Sequence, residues 1–359
     1  MRVELHTQPG ALSALQEEWA ALLPRSHCDT LFLHPAWQEA WWRTFGEAGA
    51  LRLLTVRDEA HRLVGLAPFF LARVTADASE PLPRVSVERP ATAGAGSSHC
   101  VLMLIGGTEV SDYLDVVVDR SQAPAVYQAI LTAVREEIDG WEWIDLQSLP
   151  AESPSPAFFA QAAPAAGWSA TVGPDNVCPY IALPGSWEDY LALLGKKERH
   201  ELRRKTRKLE QYARPALTVA GDPATLEADL ATFMALHEAS APDKADFMRD
   251  PRMRDFFRLI TYRTLEQGWL DLSFLSLDGQ PAASMYCFRY GDAVLVYNSG
   301  FDPQAWPSLS PGIVLLGYRI KEAIASGRCE FDFLQGNERY KYDFGAQDRV
   351  VRRLVIRRS

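Results

Sequence analysis

The chain has 359 residues, a net charge of −9, 47% hydrophobic and 23% charged residues, and five scattered cysteines. That length allows two ordinary domains, each with its own core, and the balance is that of a soluble globular protein rather than a general nucleic-acid binder. With no CxxC pair and an odd cysteine count, neither a disulfide framework nor a zinc site is expected.

No apolar run reaches 18 residues, so no membrane span is expected. The first residues carry acids and no apolar core segment, unlike a signal peptide, and a reducing cytoplasm is the expected location.

In chain order, residues 10–23 read as an amphipathic helix with Leu12, Leu15, Trp19 and Leu22 on one face. Residues 34–45 read as a second, carrying Trp37, Trp41, Trp42 and Phe45, aromatics whose helical spacing marks a core. Residues 51–57 and 63–74 read as strands about a polar turn. Residues 76–90 and 91–98 are rich in Pro, Ser and Gly and read as loops. Strands at 101–105 and 113–118, a helix over 122–138 stopped by Gly140, and a strand over 141–147 follow.

Residues 186–212 read as helical, bent or folded back at Gly195. Between Lys196 and Lys208 lie eight basic and two acidic residues, a segment of +6 that leaves −15 on the remainder. Such a run is either a solvated helix face or, through residues such as Arg203, Arg204 and Arg207, a seat for an anionic substrate. Then come a strand at 216–220, helices over 224–241 and 250–267, and strands at 270–277 and 282–289 split by the Asp278–Gly279 turn.

The stretch from 293 onward carries most of the signal. Residues 293–299 form a β-branched strand, and a Gly/Pro/Ser-rich loop leads to a helix whose apolar stripe is Ile313, Leu316, Ile320 and Ile324. Ser310 stands at its N-cap and Pro311 in its first turn; Gly327 ends it. A strand at 330–334 carries Asp332, and Gly336, Glu338, Tyr340 and Lys341 follow. A last strand, 349–357, alternates apolar and basic residues and reads as the closing strand of the second half.

A helix start leaves unpaired N–H groups and a partial positive charge, so the entry at Ser310, Pro311, Gly312 and Ile313 suits an anion such as a pyrophosphate. Helix, Gly327 and C-E-F-D-F-L-Q repeat, faintly, an earlier helix, Gly140 and W-E-W-I-D-L-Q, the mark of one fold in tandem. The first copy lacks the S-P-G helix start and the N-E-R-Y-K tail, which assigns chemistry to the second.

No Ser-His-Asp, Cys-His or metal-ligand pattern stands out, so no metal is expected. The seven histidines are isolated, with His237 on the polar side of a helix that would flank the cleft. Asp332 and Glu338 are the candidate bases, although Asp332 reads equally as a structural acceptor. Tyr297 is a candidate donor to a leaving group or a packed ring.

The S-P-G helix start, E-F-D-F-L-Q-G and N-E-R-Y-K resemble the C-terminal half of the bacterial GNAT-type acyltransferases called CelD/BioF2-like, associated with cellulose biosynthesis. More distantly they are similar to the Fem-type aminoacyl transferases. Phe32, His34, Pro35 and Trp37, then Trp41, Trp42 and Phe45, and the basic run after Gly195 extend the resemblance over almost the whole chain. It implies an α/β (α+β) fold of two tandem GNAT-like domains, each a mixed, mostly antiparallel sheet flanked by helices. These are expected at 1–185 and 214–359, joined by a basic helical linker at 186–213.

The resemblance also implies an N-acyltransferase moving an acyl group from acetyl-CoA or another acyl-CoA to an amine, such as one on an amino sugar or a cell-envelope or polysaccharide precursor. By it, Ser310, Pro311, Gly312 and Ile313 bind the donor, and Lys341 binds a phosphate or steadies developing charge. Arg203, Arg204, Arg207 and Tyr340 would bind substrate. The phosphate loop departs from the usual Gly-rich pattern, since Trp306 to Gly312 reads W-P-S-L-S-P-G and Pro311 lacks an N–H. An aminoacyl-tRNA donor, or an inactive binding component of polysaccharide assembly, therefore stays open.

Overall fold

A computed structural model describes residues 1–75, 98–107 and 109–358; the loops expected over 76–90 and 91–98 lie outside the described residues except for Ser98, which is a strand residue. The chain divides into two compact units, Met1–Asn176 with Val350–Ser359, and Val177–Arg349. The boundaries fall within two long strands, and residues 186–213 lie inside the second unit.

The chain opens with β1 (Arg2–His6), α1 (Gly10–Ala14), α2 (Gln16–Leu22), α3 (Pro35–Phe45), β2 (Gly49–Arg57) and β3 (Leu63–Thr75). Next come β4 (Ser98–Leu104), β5 (Val117–Val118), α4 (Ala123–Glu136), β6 (Trp143–Pro150), α5 (Ser155–Ala162) and the long β7 (Trp168–Ala182). The chain goes on through α6 (Trp187–Leu193), α7 (Lys196–Tyr212), β8 (Pro215–Val219), α8 (Leu226–Ser240), α9 (Pro242–Arg249) and α10 (Pro251–Glu266). It finishes with β9 (Leu270–Leu277), β10 (Gln280–Tyr290), β11 (Ala293–Phe301), α11 (Pro311–Ala325), β12 (Glu330–Asp332), α12 (Arg339–Asp343) and β13 (Gln347–Arg358).

In the first unit the strand order is β1-β2-β3-β4-β6-β13, with β5 on β3. Every pair is antiparallel except β4 with β6, which α4 joins as a parallel crossover. Trp19, Trp37, Trp41 and Phe45 are buried there, as their helical spacing predicts. The strand expected over 113–118 shrinks to Val117–Val118, because Asp115 turns inward to accept the hydroxyls of Ser153 and Ser155.

The second unit repeats that plan in the order β7-β12-β11-β10-β9-β8. Again one pair is parallel, β11 with β12, and α11 joins them. The others are antiparallel. Both units are thus mixed, mostly antiparallel sheets flanked by helices. The closing strand expected for the second half corrects itself here: residues 351–357 of β13 pair with β6 in the first unit. Arg353 reaches the buried Asp145 of β6, a partner that alternation alone does not reveal.

In the second unit Tyr286, Phe288 and Tyr297 face Phe233 of α8 and Phe257 of α10. Met285, Cys287 and Val296 face the other way, into a core with Val314 and Ile320 of α11 and Leu202 of α7. Gly195 separates α6 from α7, as its position in the sequence predicts. Strand β7 and helices α5, α9 and α12 carry no clear sequence signal; Pro174 and Pro179 interrupt β7's pattern.

Candidate functional site

The site begins with a strand that loses its neighbour. β11 pairs with β12 only at Ala293–Glu330, Val294–Phe331 and Leu295–Asp332. Beyond Asp332 the chain turns away, with Leu334 at φ 56° and Gly336 at φ 113°. On its other edge β11 follows β10, but the register slips: Tyr286 faces Asn298 while Cys287 faces Val296. Tyr297 is therefore an extra residue, a β-bulge that bends the strand where its parallel partner ends.

A cavity of about 330 Å³ opens at this parting. Val296, Ser299 and Phe301 of β11, Met285 of β10, Phe333 and Tyr340 line it. The first turn of α11 closes one side through Ser310, Pro311, Gly312 and Ile313, all four residues expected at a donor site. Ser310 sits in the left-handed region at φ 51° and makes no side-chain cap bond, while its carbonyl accepts from Val314 N–H at 3.2 Å. An uncapped 15-residue helix thus presents its positive end to a mostly apolar hollow. A Cβ on Gly312 would lie 3.5 Å from the Phe301 ring, an ordinary contact.

Beyond Ile313 lies a smaller hollow of about 180 Å³, where Lys197 and Lys205 of α7 meet Arg339, with Glu198, Glu201 and Asp343 among them. Arg203, Arg204 and Arg207 line neither hollow. Arg203 pairs with Glu188 at 3.5 Å, Arg204 with Glu201 at 2.8 Å, and Arg207 Nε donates to the Arg203 carbonyl.

The other expected residues separate by role. Asp332 is buried, accepts from the Leu334 N–H at 2.7 Å and pairs with Arg349 at 3.0 Å. Arg349 also grips Glu330 and lies over the Tyr180 ring. Lys341 is buried as well: its Nζ donates to the carbonyls of Gln335 and Gly336 at 2.9 Å and pairs with Glu338 at 2.9 Å. It holds the turn after β12 in shape. Glu338 keeps 57% of its side chain exposed. The Tyr297 ring packs against Phe257 and Phe288, on the sheet face opposite α11. Burial pushes the Tyr340 hydroxyl well above the usual tyrosine range.

Two further groups converge on the same strand. The Ser299 carbonyl accepts from His237 Nδ1 of α8 at 3.1 Å and from Lys244 Nζ of α9 at 2.6 Å. His237 is only 1% exposed, not on a polar helix face as its sequence context suggests. Burial, helped by the Lys244 charge, brings its pKa down to about 4. Burial also pulls the Lys244 ammonium below the lysine norm, against the attraction of Asp243 and Glu338. Nothing in P-D-K-A-D-F marks Lys244 in the sequence; only Pro242, restarting a helix after Ala241, hints at a corner there.

Among the described residues no helix is long and apolar enough to cross a membrane, and no cluster of His, Cys, Asp and Glu could hold a metal ion.

Residues 196–342 match the family model described as an acetyltransferase (GNAT) domain. No curated protein matches. Among solved structures the chain is similar to FemX, with a TM-score of 0.62 at 12% identity over 99% of this chain and 97% of that one. It is similar at 0.60, again at 12% identity, to a conserved protein of unknown function from Bacteroides thetaiotaomicron, covering 99% and 100% of the two chains. It is also similar to L-PGS from Bacillus licheniformis, at 0.53 and 12% identity over 100% and 95%. At such identities these likenesses speak for the fold.

Proposed function

From its place as a distant GNAT/Fem-like chain, with the GNAT domain at residues 196–342, we propose that this protein is an N-acyltransferase that moves an acyl group from acyl-CoA to an amine. The observation that carries the reading is the cavity at the uncapped start of α11, where β11 and β12 part. An apolar hollow flanked by an open strand edge suits the thin acylated arm of the donor. The helix start and the Lys197, Lys205 and Arg339 hollow beyond it suit the donor's phosphates. Those cations, which share the hollow with Glu198, Glu201 and Asp343, would stand in for the N–H that Pro311 lacks.

Direct transfer needs positioning more than covalent machinery. The amine lone pair attacks the acyl carbon, the carbon–sulfur bond breaks, and the thiolate leaves while the amine gives up a proton. Asp332 and Lys341 serve by holding β12 and the turn after it. Glu338, the exposed carboxylate that pairs with Lys341 and attracts Lys244, would draw a cationic amine. Tyr297 sets the bend of β11, and Tyr340 walls the donor. The acceptor class favoured is a small amine such as an amino sugar or envelope precursor.

A thermal-shift titration with acetyl-CoA and longer acyl-CoAs tests this, since a ligand that binds only the folded protein raises its melting temperature by mass action. A saturable rise is expected, and Gly312→Leu, which fills the donor's entry beside Phe301, should remove it while leaving the unliganded melt close to wild type. No rise with any CoA species would sink the donor assignment.

A further inference from the structure

We propose that His237 is the group that takes the amine proton, through Nε2, and that Lys244 is its positioning residue. This rests on the acyltransfer reading above and deepens it.

The argument starts from a carbonyl. A carbonyl oxygen only accepts, so the 3.1 Å contact between His237 Nδ1 and Ser299 O places the imidazole proton on Nδ1. In the neutral ring Nε2 then carries a free lone pair, and no hydrogen bond to it is found among the described residues. The carbonyl at Nδ1, not the ring's own preference, decides which nitrogen is basic. Lys244 Nζ donates to the same oxygen at 2.6 Å, so an ammonium stands beside the ring and disfavours a second proton on it at rest. The charged groups that face the pair are Asp243 on the same helix as Lys244, and Glu338 from the turn after β12. The ring itself is clamped between Phe233 and Phe247.

Its position is fixed by the backbone. α8 crosses β11 so closely that a Cβ on Gly300 would sit 2.4 Å from His237 N. Ser299 and Gly300 also line the donor cavity, past Leu295, where β11 and β12 cease to pair. The strand carbonyl that the ring holds thus belongs to a residue that lines the donor cavity, beside the gap through which an acyl group would meet an amine. In the step, the nitrogen–carbon bond forms first, the ammonium proton of the addition intermediate passes to Nε2, and the carbon–sulfur bond then breaks. That intermediate is far more acidic than a free ammonium, so a weakly basic imidazole suffices. The proton then leaves with the thiolate as thiol.

Long-range ¹H–¹⁵N NMR of histidine-labelled protein reads the tautomer, and His237→Asn, which keeps a donor at the Nδ1 position, identifies the signal by its loss. A protonated Nδ1 and bare Nε2 at pH 7 are expected; an Nε2–H tautomer overturns the assignment. Lys244→Met should move the protonation midpoint of that ring upward, and an unmoved midpoint removes Lys244 from the pair. With acetyl-CoA and D-glucosamine or L-lysine as amine probes, His237→Asn should lower kcat about 100-fold with an unchanged KM for acetyl-CoA, in the range of general-base losses. Equal kcat in an active wild type overturns the base role alone. A wild type silent with every acyl-CoA, and unshifted by all of them, overturns the acyltransfer reading beneath it.

Discussion

Asp115 shows how one buried carboxyl sets a pH dependence. It lies 1% exposed in the first unit, accepting from Ser155 Oγ at 2.5 Å, from Ser153 Oγ and from the Val116 N–H at 2.7 Å. Burial outweighs those donors and lifts its pKa to about 6, from an ordinary 3.8. Between those values the folded chain binds more protons at this site than the unfolded one, so its contribution to stability falls as pH rises from about 4 to about 6. The two histidines lowered to about 4, His34 and His237, act in the opposite sense over about pH 4 to 6.5, since their unfolded forms bind the extra proton. The effect of Asp115 is therefore read as a difference. Urea unfolding of wild type and Asp115→Asn at pH 4 and pH 6 should diverge by an amount on the order of 2 kcal/mol across that window. Parallel curves would mean that the carboxyl stays ionised in the fold.

At the scale of elements, the crossing of α8 over β11 is the tightest packing constraint near the site. A Cβ at Gly300 would lie 2.4 Å from His237 N and 2.5 Å from the Leu236 carbonyl carbon, both backbone atoms that no rotamer change can move. Gly300→Ala should cost about 3 kcal/mol, the upper end for overpacking, read as a lowered urea midpoint. Alanine accommodated without loss would show that α8 stands further off. This crossing also explains what was legible beforehand. The helix from Pro311, its apolar stripe and its stop at Gly327 follow local rules and emerge where expected, whereas Ser310 takes the N-cap position in a left-handed conformation and caps nothing. So do the strands on either side of the Asp278–Gly279 turn. Glycine 300 reads from sequence only as the start of a loop, because the helix that excludes its side chain is distant in the chain. The same distance hides Lys244, whose partner is a backbone oxygen, and hides the pairing of β13 with β6. Asp332 and Lys341 stand out as charged residues in an apolar stretch, yet the letters cannot tell a carboxylate bound to Arg349 from one free to take a proton.

For the whole molecule the uneven charge is the informative quantity. A chain of −9 repels anions at long range, and α7 interrupts that field with a segment of +6 against −15 elsewhere. Much of this charge is already engaged, by Glu188, by Glu201 and, through Lys208, by the Ser308 carbonyl. Lys197 and Lys205 instead line the hollow beside the start of α11, with Arg339 opposite. If that hollow takes the donor's phosphates, affinity for acetyl-CoA must fall as salt screens it, because the Debye length shrinks from about 10 Å at 0.1 M to about 3 Å at 1 M. Calorimetric titrations at low and high salt should show a several-fold loss. The Lys197→Glu, Lys205→Glu double variant should bind at least about tenfold more weakly and lose most of its salt dependence, while S-acetylpantetheine, which has no phosphates, should bind both proteins alike. Unchanged acetyl-CoA affinity in the variant would separate the basic helix from the donor site. If the same variant lost salt-sensitive binding of charged tRNA instead, the donor would be an aminoacyl-tRNA, and the face of α7 its seat.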